Sequence, residues 1–212
     1  MMPKLVCMLR VKDGMTFINE WLENMARLVD EIVVVDNGST DGTYELLKSH
    51  PKVVDITKTE GFHEGRDKIM VYEMARKRNP DWCLWLDVDE IFEKRVTRGH
   101  LNKLMKSKKV TQYGFRRFTL KKDRNHFEAK IQNLIDQSRP SRFMWKEQPS
   151  AYFLNYEIHN GNIKGVKGFQ WFSRLRILHT TDLYYENRMK KLDHVAKIHK
   201  EYAWHYERAK KD

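Results

Sequence analysis

Residues 31–42 read EIVVVDNGSTDG, and this stretch decides the fold class. Its isoleucine and three valines form an unbroken β-branched run, which is typical of a strand buried on both faces. The residues that follow are turn formers, and Thr40 or Asp41 can cap a helix that begins directly after them. The stretch therefore predicts a buried strand, a polar turn and a helix, with Asp36 at the carboxyl end of the strand.

The same order of strand and helix recurs through the first ninety residues. Strands are predicted at residues 5–9, 31–36, 53–56 and 82–86, with helices over about 17–28, 44–47 and 65–78. Such alternation predicts an α/β domain with a mostly parallel central sheet, flanked by helices and joined by right-handed crossovers. Ligands of these sheets bind beyond the carboxyl ends of the strands. Polar residues at those ends, such as Arg10 and Asp36, are therefore candidates for a binding site.

The second half of the chain has a weaker pattern. Residues 101–105 suit a short helix, residues 113–120, 152–158 and 171–178 suit strands, and residues 189–202 suit a final amphipathic helix. Residues 121–149 show no clear periodicity. We expect these segments to complete one domain over residues 1–212.

Composition limits the class of protein. The formal net charge is +11, and residues 94–146 contain 16 Lys and Arg against three Asp and Glu. This excess suits an acidic partner, but no recognisable nucleic-acid motif accompanies it, so no nucleic acid is expected. No signal peptide or long apolar run is evident, and Cys7 and Cys83 lie in apolar segments. These features predict a reducing, cytoplasmic location.

A second polar strand end lies in residues 81–92, DWCLWLDVDEIF. If this segment is extended, Asp87 and Asp89 point the same way and Glu90 points elsewhere. Two close carboxylates raise each other's pKa unless a cation neutralises them, and Mg²⁺ and Mn²⁺ prefer such oxygen ligands. In the alternative interpretation, Asp89 and Glu90 cap the next segment and Asp87 simply faces solvent.

Taken together, VVVDNGSTDGT at residues 33–43 and LWLDVDE at residues 84–90 resemble the GT-A-type glycosyltransferases of family 2. This resemblance implies a nucleotide-binding half over residues 1–93. It also implies an acceptor-side half with a C-terminal helix over residues 94–212. The basic surface and the length are similar to those of the N-terminal glycosyltransferase domain of a larger chlorovirus protein, which would place the chain in the host cytoplasm.

The resemblance implies a nucleotide-sugar site contributed by both halves. Its expected residues are Arg10, Asp36, Arg66, Asp87, Arg139 and Arg142. Arg10 and Asp36 would hold the base and ribose, because an ionised carboxylate only accepts hydrogen bonds. Arg139 and Arg142 would clamp the diphosphate, since guanidinium groups match phosphate oxygens.

The resemblance also implies a divalent ion, Mn²⁺ or Mg²⁺, held by Asp87, Asp89 and His179. Such an ion would stabilise the charge of a departing nucleoside diphosphate. Asp87 and Asp89 are therefore catalytic candidates as well. Glu157 and His159 are candidates for the catalytic base. The base stays open, because a retaining enzyme would need none of that kind.

The expected reaction moves a hexose, of glucose or rhamnose type, from a UDP-sugar to a hydroxyl of a glycan or glycoprotein. One alternative is a haloacid-dehalogenase-type phosphatase with Asp87 as nucleophile and Asp89 as general acid. It would need a second acidic pair further along the chain, and none follows a strand. The other alternative, a non-catalytic basic nucleic-acid-binding domain, would explain the charge but not the acidic strand ends.

Overall fold

The computed structural model of the chain describes residues 2–120, 142–157 and 162–183. Its strands are β1 (Leu5–Val11), β2 (Glu31–Asp36), β3 (Val53–Lys58), β4 (Trp82–Trp85), β5 (Glu90–Phe92), β6 (Val110–Thr119), β7 (Arg142–Lys146) and β8 (Phe169–His179). Its helices are α1 (Met15–Ala26), α2 (Thr43–Ser49), α3 (Glu64–Lys77) and α4 (Arg98–Met105). A 3₁₀ turn, Thr181–Leu183, follows β8.

The eight strands form one sheet in the order β3-β2-β1-β4-β7-β6-β8-β5. Strands β1 to β4 pair in parallel, as the alternation of strand and helix predicts. From β1 the chain proceeds to β2 and β3 on one side, then crosses to β4 on the other. The carboxyl ends of β1 and β4 therefore flank the point where strand order reverses, the usual ligand crevice of such sheets.

The other half of the sheet is mixed. Strand β7 runs antiparallel to both β4 and β6, β6 runs parallel to β8, and β5 runs antiparallel to β8. Across the described residues four of the seven strand pairings are parallel, so the prediction of a mostly parallel sheet applies best to the first half. The connection from β4 to β5 is only four residues long, and yet the two strands lie at different places in the sheet.

A hydrophobic layer covers each face of the sheet. On one face α1 contributes Trp21 and Leu28 follows the helix, and both side chains are fully buried. On the other face α3 contributes Val71 and Ala75 against Trp145 of β7. Because both faces of β1 are covered, its residues 5–9 are all fully buried, which explains their continuous apolar sequence.

Two predicted details are wrong. The residue at the cap position of α2 is Gly42, with a φ of 93°, rather than Thr40 or Asp41. Residues 152–157 do not form a strand and make only an isolated bridge between Tyr152 and Lys164. The backbone carbonyls of Tyr156 and Glu157 instead accept hydrogen bonds from the first N–H groups of α3, so these carbonyls are not available for a strand ladder.

Strands β5 and β7 were not predicted from the sequence. Strand β5 is only three residues long, and β7 lies within the stretch that shows no periodicity. The predicted C-terminal helix at residues 189–202 lies outside the described residues. Within the described part of the chain, no helix is both long and apolar enough to cross a bilayer.

Gly14, which precedes α1, sits where the backbone cannot accept a side chain easily. A Cβ atom there would lie 2.6 Å from Cγ2 of Val11 and 3.4 Å from Cγ2 of Val88. Its N–H also donates to Thr43 Oγ1 at 2.9 Å. Gly14 therefore allows the end of β1, the start of α2 and the turn after β4 to meet.

We expect Gly14→Ala to destabilise the protein by about 1–3 kcal/mol, because the added methyl group must displace Val11 or Val88. Gly99→Ala is the matched control. A Cβ at Gly99 in α4 meets only Thr97 Oγ1, at 3.5 Å, so this substitution should be neutral or stabilising by up to about 1 kcal/mol. Urea denaturation of both variants measures the difference, and equal stabilities would contradict this account of Gly14.

Candidate functional site

Asp36 shapes the loop that follows β2. Its Oδ1 atom accepts the backbone N–H groups of Gly38 at 3.0 Å and Ser39 at 2.7 Å, and the residue is fully buried. These two hydrogen bonds close the turn from within. Asn37 also stabilises this loop, because its amide group donates to Thr59 Oγ1 and to Asp67 Oδ2.

The loop after β1 is tied to the loop after β2 by a second set of hydrogen bonds. Asp13 Oδ1 accepts the N–H of Thr40 at 2.8 Å, and Asp41 Oδ2 accepts the N–H of Met15 at 2.9 Å. Burial alone would raise the pKa of Asp41, but hydrogen bonds from Thr43 and Met15 outweigh it and lower that pKa. Asp41 therefore shapes the turn and also holds the first turn of α1.

An unsatisfied donor and an unsatisfied acceptor lie at this edge of the sheet. Asp36 Oδ2 and Arg10 Nη1 are buried, and neither has a hydrogen-bond partner among the described residues. The register of β1 and β2 places Arg10 next to the position that pairs with Asp36. The guanidinium of Arg10 lies 4.7 Å from the centre of the Phe62 ring. Because buried polar atoms are rarely left unpaired, this arrangement fits a polar, planar ligand.

Arg66 lies in the first turn of α3 and is already engaged by protein groups. Its Nε donates to Asp67 Oδ1 at 2.8 Å, and its Nη2 donates to the carbonyl of Gly61 at 2.9 Å. Asp67 is fully buried and also accepts from Asn37. The structure therefore places Arg66 beside the loop after β2, with its side chain only partly exposed.

The acids after β4 lie on a β-turn rather than on an extended segment. The N–H of Glu90 donates to the carbonyl of Asp87 at 2.9 Å, which closes the turn. Asp87 is exposed and accepts a hydrogen bond from Trp85 Nε1 at 3.1 Å, whereas Asp89 is buried. The prediction that Asp87 and Asp89 alternate along a strand is wrong, because β4 ends before them at Trp85.

The side chain of Asp89 contacts the side chain of His179, which lies at the end of the neighbouring strand. His179 Nε2 lies 3.2 Å from Asp89 Oδ2, because β5 pairs with the end of β8 and Glu90 is opposite His179. Thr181 Oγ1 donates to the same carboxylate oxygen, and Thr180 donates to the backbone carbonyl of Asp89 from both its N–H and its hydroxyl. Residues ninety positions apart are thus brought together, as the expected metal site requires.

The donor set suits a hard divalent ion in part. Two ligands at about 2.1 Å in an octahedral shell lie about 3 Å apart, close to the separation of Asp89 Oδ2 and His179 Nε2. The Nδ1 atom of His179 is buried and has no partner among the described residues. Asp87 does not complete a three-residue cluster with them, since the described part of the chain holds no group of three metal-ligating side chains.

Glu90 belongs to this cluster, although the sequence pattern assigned it elsewhere. Its Oε2 accepts the N–H of Asp87 at 3.3 Å, and its Oε1 pairs with Arg117 at 3.3 Å. Burial, together with the charges of Asp87 and Asp89, raises the pKa of Glu90 to about 7, against the lowering influence of Arg117 and His179. No spacing rule identifies Glu90, but its position as a third acid beside the pair is visible in the sequence.

Asn24 of α1 holds the short strand that carries these acids. Its amide donates to the carbonyl of Phe92 at 2.9 Å and accepts the N–H of Phe92 at 3.1 Å. The side chain is buried, and it satisfies both backbone groups of Phe92. Asn24 thus takes the place of a neighbouring strand at the edge of the sheet and fixes β5, which begins at Glu90.

Four further site residues were predicted in the second half of the chain. Arg139 and His159 lie outside the described residues, and only the backbone of Arg142, at the start of β7, is described. Glu157 is exposed, and its carbonyl accepts the N–H of Glu64 at the start of α3. The roles of these four residues therefore stay predictions.

The amino-acid sequence matches a family model. The model for Glycosyl transferase family 2 matches residues 16–179, which include the loop after β2, the acidic turn and His179. An uncharacterised protein of Mycobacterium tuberculosis, Rv3786c, is 28% identical over an alignment of 98 residues. That alignment covers 42% of this chain and 24% of the relative, so the chain spans about a quarter of its length.

Solved structures share the fold. The TarS protein of Staphylococcus aureus, in complex with UDP-GlcNAc, superposes with a TM-score of 0.60 at 13% identity, covering 91% of this chain and 66% of that one. The mannosyltransferase PcManGT of Pyrobaculum calidifontis, in complex with GDP-Man and Mn²⁺, gives a TM-score of 0.60 at 15% identity, covering 92% and 63%. At these identities the likeness establishes the GT-A type of α/β fold.

We expect Asn24→Leu to destabilise the protein by about 1–3 kcal/mol, because it leaves both backbone groups of Phe92 unpaired in the interior. Glu23→Leu, at the exposed neighbouring position, is the control and should change stability by less than about 0.5 kcal/mol. Urea denaturation compares the two. Equal effects would mean that β5 does not depend on Asn24.

A pH dependence follows from Glu90. Its carboxyl binds a proton more tightly in the folded than in the unfolded state, so its contribution to stability falls as pH rises from about 4.5 to about 7. Glu90→Gln should remove that fall. Denaturation in a chelating buffer across this pH range measures it, and parallel curves for the wild type and the variant would contradict the assignment.

Proposed function

We propose that this chain, which belongs to glycosyl transferase family 2, moves a hexose from a UDP-sugar to a glycan hydroxyl with a divalent metal ion. The family and the GT-A type of fold place the chain among the glycosyltransferases. The choice of donor base, the sugar, the metal and the acceptor are the proposed parts.

The unpaired atoms of Asp36 and Arg10 carry the proposal of a uracil base. Because Oδ1 of Asp36 is used by the turn, only Oδ2 is left to accept, and Arg10 Nη1 is left to donate. The pairing edge of uracil offers one N–H flanked by two carbonyl oxygens, which matches one acceptor beside one donor. Guanine presents two adjacent donor groups on its pairing edge, and a single carboxylate oxygen would leave one of them unpaired.

The acidic turn supports the proposal that the transfer reaction depends on a divalent metal ion. Asp89 and His179 would hold the ion, and a bound divalent ion would stabilise the developing charge of the nucleoside diphosphate. Thr181 keeps the Asp89 carboxylate in place through its hydrogen bond. Asp87, exposed at the head of the turn and oriented by Trp85, would contact the ribose or complete the shell of the ion.

Other residues enter as proposals from the family pattern. Arg66, Arg139 and Arg142 would contact the phosphates. Glu157 or His159 would accept the proton of the acceptor hydroxyl in an inverting reaction. The Nε and Nη2 atoms of Arg66 already donate to Asp67 and to the carbonyl of Gly61, so a phosphate would share these donors or bind the remaining N–H groups of the guanidinium.

The structural neighbours support a nucleotide-sugar donor of either base, because one was solved with UDP-GlcNAc and the other with GDP-Man and Mn²⁺. The phosphatase and nucleic-acid alternatives have no comparable support. A hexose of glucose or rhamnose type, a glycan or glycoprotein acceptor, a viral source and a cytoplasmic location stay predictions.

Titration calorimetry with UDP and GDP, with and without Mn²⁺, tests the donor. We expect UDP to bind in the presence of Mn²⁺ and to bind at least about tenfold more tightly than GDP, since one buried unpaired group costs about 1–3 kcal/mol. Asp89→Ala should remove the dependence on Mn²⁺. Absence of nucleotide binding under every metal condition would refute the proposed transferase function.

Asp36→Asn tests base recognition at a single atom. The amide oxygen can still accept from Gly38 and Ser39, but an NH₂ group replaces Oδ2 and would face the N–H of uracil donor to donor. We expect UDP affinity to fall by about 10- to 100-fold without loss of folding.

Asp55→Asn, at a half-buried position in the middle of β3, makes the same chemical change away from the strand ends and should leave UDP affinity unchanged. If Asp36→Asn binds UDP like the wild type, Asp36 does not read the base. The metal and the family assignment would stand in that case.

A further inference from the structure

The first half of β8 presents three large aromatic side chains to solvent. Phe169 is 70% exposed, Trp171 62% and Phe172 47%. Phe169 and Trp171 share one face of the strand and Phe172 lies on the other, because side chains alternate along a strand. Isolated exposed apolar residues are ordinary, but three within four positions of one strand form an apolar patch that needs an explanation.

This part of β8 is also an edge of the sheet. Strand β6 pairs along its whole length, whereas β5 pairs only with Ile177, Leu178 and His179 at the far end. Among the described residues, no strand lies beside the second edge of β8 next to the aromatic side chains. An uncovered edge that carries aromatic residues favours association with another surface.

Basic side chains surround the aromatic residues, and carboxylates are absent from the same segments. Residues 97–120 and 162–176, which include β6 and most of β8, contain eleven Lys and Arg and no Asp or Glu. Lys108, Lys109 and Lys167 are exposed. The N–H of Phe169 donates to the carbonyl of Lys109 at 3.4 Å on the side of β8 that pairs with β6, so Lys109 is a direct neighbour of Phe169. We call Phe169, Trp171, Phe172, Lys108, Lys109 and Lys167 the aromatic–lysine patch.

We propose that the aromatic–lysine patch docks the protein on the surface of an anionic lipid bilayer. Aromatic residues are favoured at the boundary between headgroups and acyl chains, and each lysine near an anionic surface adds an electrostatic attraction. Neither contribution anchors a protein alone, but the two together give reversible peripheral binding.

The arrangement favours a bilayer over a single-stranded nucleic acid. Bases stack on aromatic rings that line one groove, whereas these rings project from both faces of one strand edge. Aromatic rings on such an exposed edge can insert into the apolar layer of a bilayer. The patch is also remote from the acidic turn, since Trp171 precedes His179 by eight positions, about 26 Å along an extended strand. Docking would therefore leave the candidate site open to solvent.

Flotation with two kinds of vesicle tests the proposal on the whole chain. One kind is phosphatidylcholine alone, and the other is equal parts phosphatidylcholine and phosphatidylglycerol. We expect the wild type to float with the anionic vesicles and to be released as salt shortens the Debye length to about 3 Å. Failure of the wild type to float with anionic vesicles at low salt would overturn the proposal.

Two variants separate the two contributions. Phe169→Ser with Trp171→Ser should reduce binding to anionic vesicles by about tenfold or more, because apolar insertion is lost. Lys108→Glu with Lys109→Glu should reduce it by a similar factor, by reversing the local charge.

Lys48→Glu with Lys77→Glu is the control, because it makes the same change in net charge on α2 and α3. This control variant should retain most of the binding. If the aromatic variant or the Lys108 and Lys109 variant floats like the wild type, the patch is not the docking surface.

Two further measurements exclude other occupants of the patch. Circular dichroism shows that the variants fold, which we expect because every substituted side chain is exposed. Sedimentation without lipid reports self-association. A wild-type dimer that Phe169→Ser with Trp171→Ser dissociates would assign the edge to a second copy and overturn the bilayer proposal. Binding of an RNA oligonucleotide through the same residues, without vesicle binding, would overturn it as well.

Discussion

Strand β1 pairs with β2 along one edge and with β4 along the other, and the rest of the structure depends on this double pairing. It brings the carboxyl ends of three strands to one edge of the sheet. Arg10, Asp36 and the acidic turn after β4 are consequently neighbours, although they are far apart in the sequence. Since β1 is covered on both faces, any polar residue it contributes must lie at its end, and Arg10 is that residue.

The site concentrates buried charge more than a stable fold requires. Asp36, Asp67, Asp89 and Glu90 are all buried. Asp36 and Asp67 are stabilised by hydrogen bonds from backbone and side-chain donors, which lower the cost of their charge. Glu90 is not stabilised to the same degree, as the rise in its pKa shows. Such uncompensated acidity is typical of sites that gain their missing positive charge from a ligand or ion.

The parallel half of the fold could be predicted because its signals are local. The valine run of β2, the turn residues after it and the periodicity of α3 each specify one element. The turn at Asp87 could not be predicted, because the residue pattern after Trp82 is equally compatible with a strand that continues through the acidic residues. The pairing of β5 with β8 depends on Asn24 and on residues ninety positions away, and no short window of sequence contains that information. His179 was proposed as a metal ligand through the resemblance rather than through any physical pattern.

The two halves of the chain are joined at the start of α3, where the carbonyls of Tyr156 and Glu157 accept the N–H groups of Gly65 and Glu64. These contacts use backbone atoms, so they set no requirement of their own on the side chains at positions 156 and 157. The length of the segment from the buried Phe153 to Glu157 is fixed instead, because one inserted residue would shift both carbonyls out of register. Related chains should therefore tolerate hardly any change in the length of this segment, unlike most surface loops, which accept insertions and deletions.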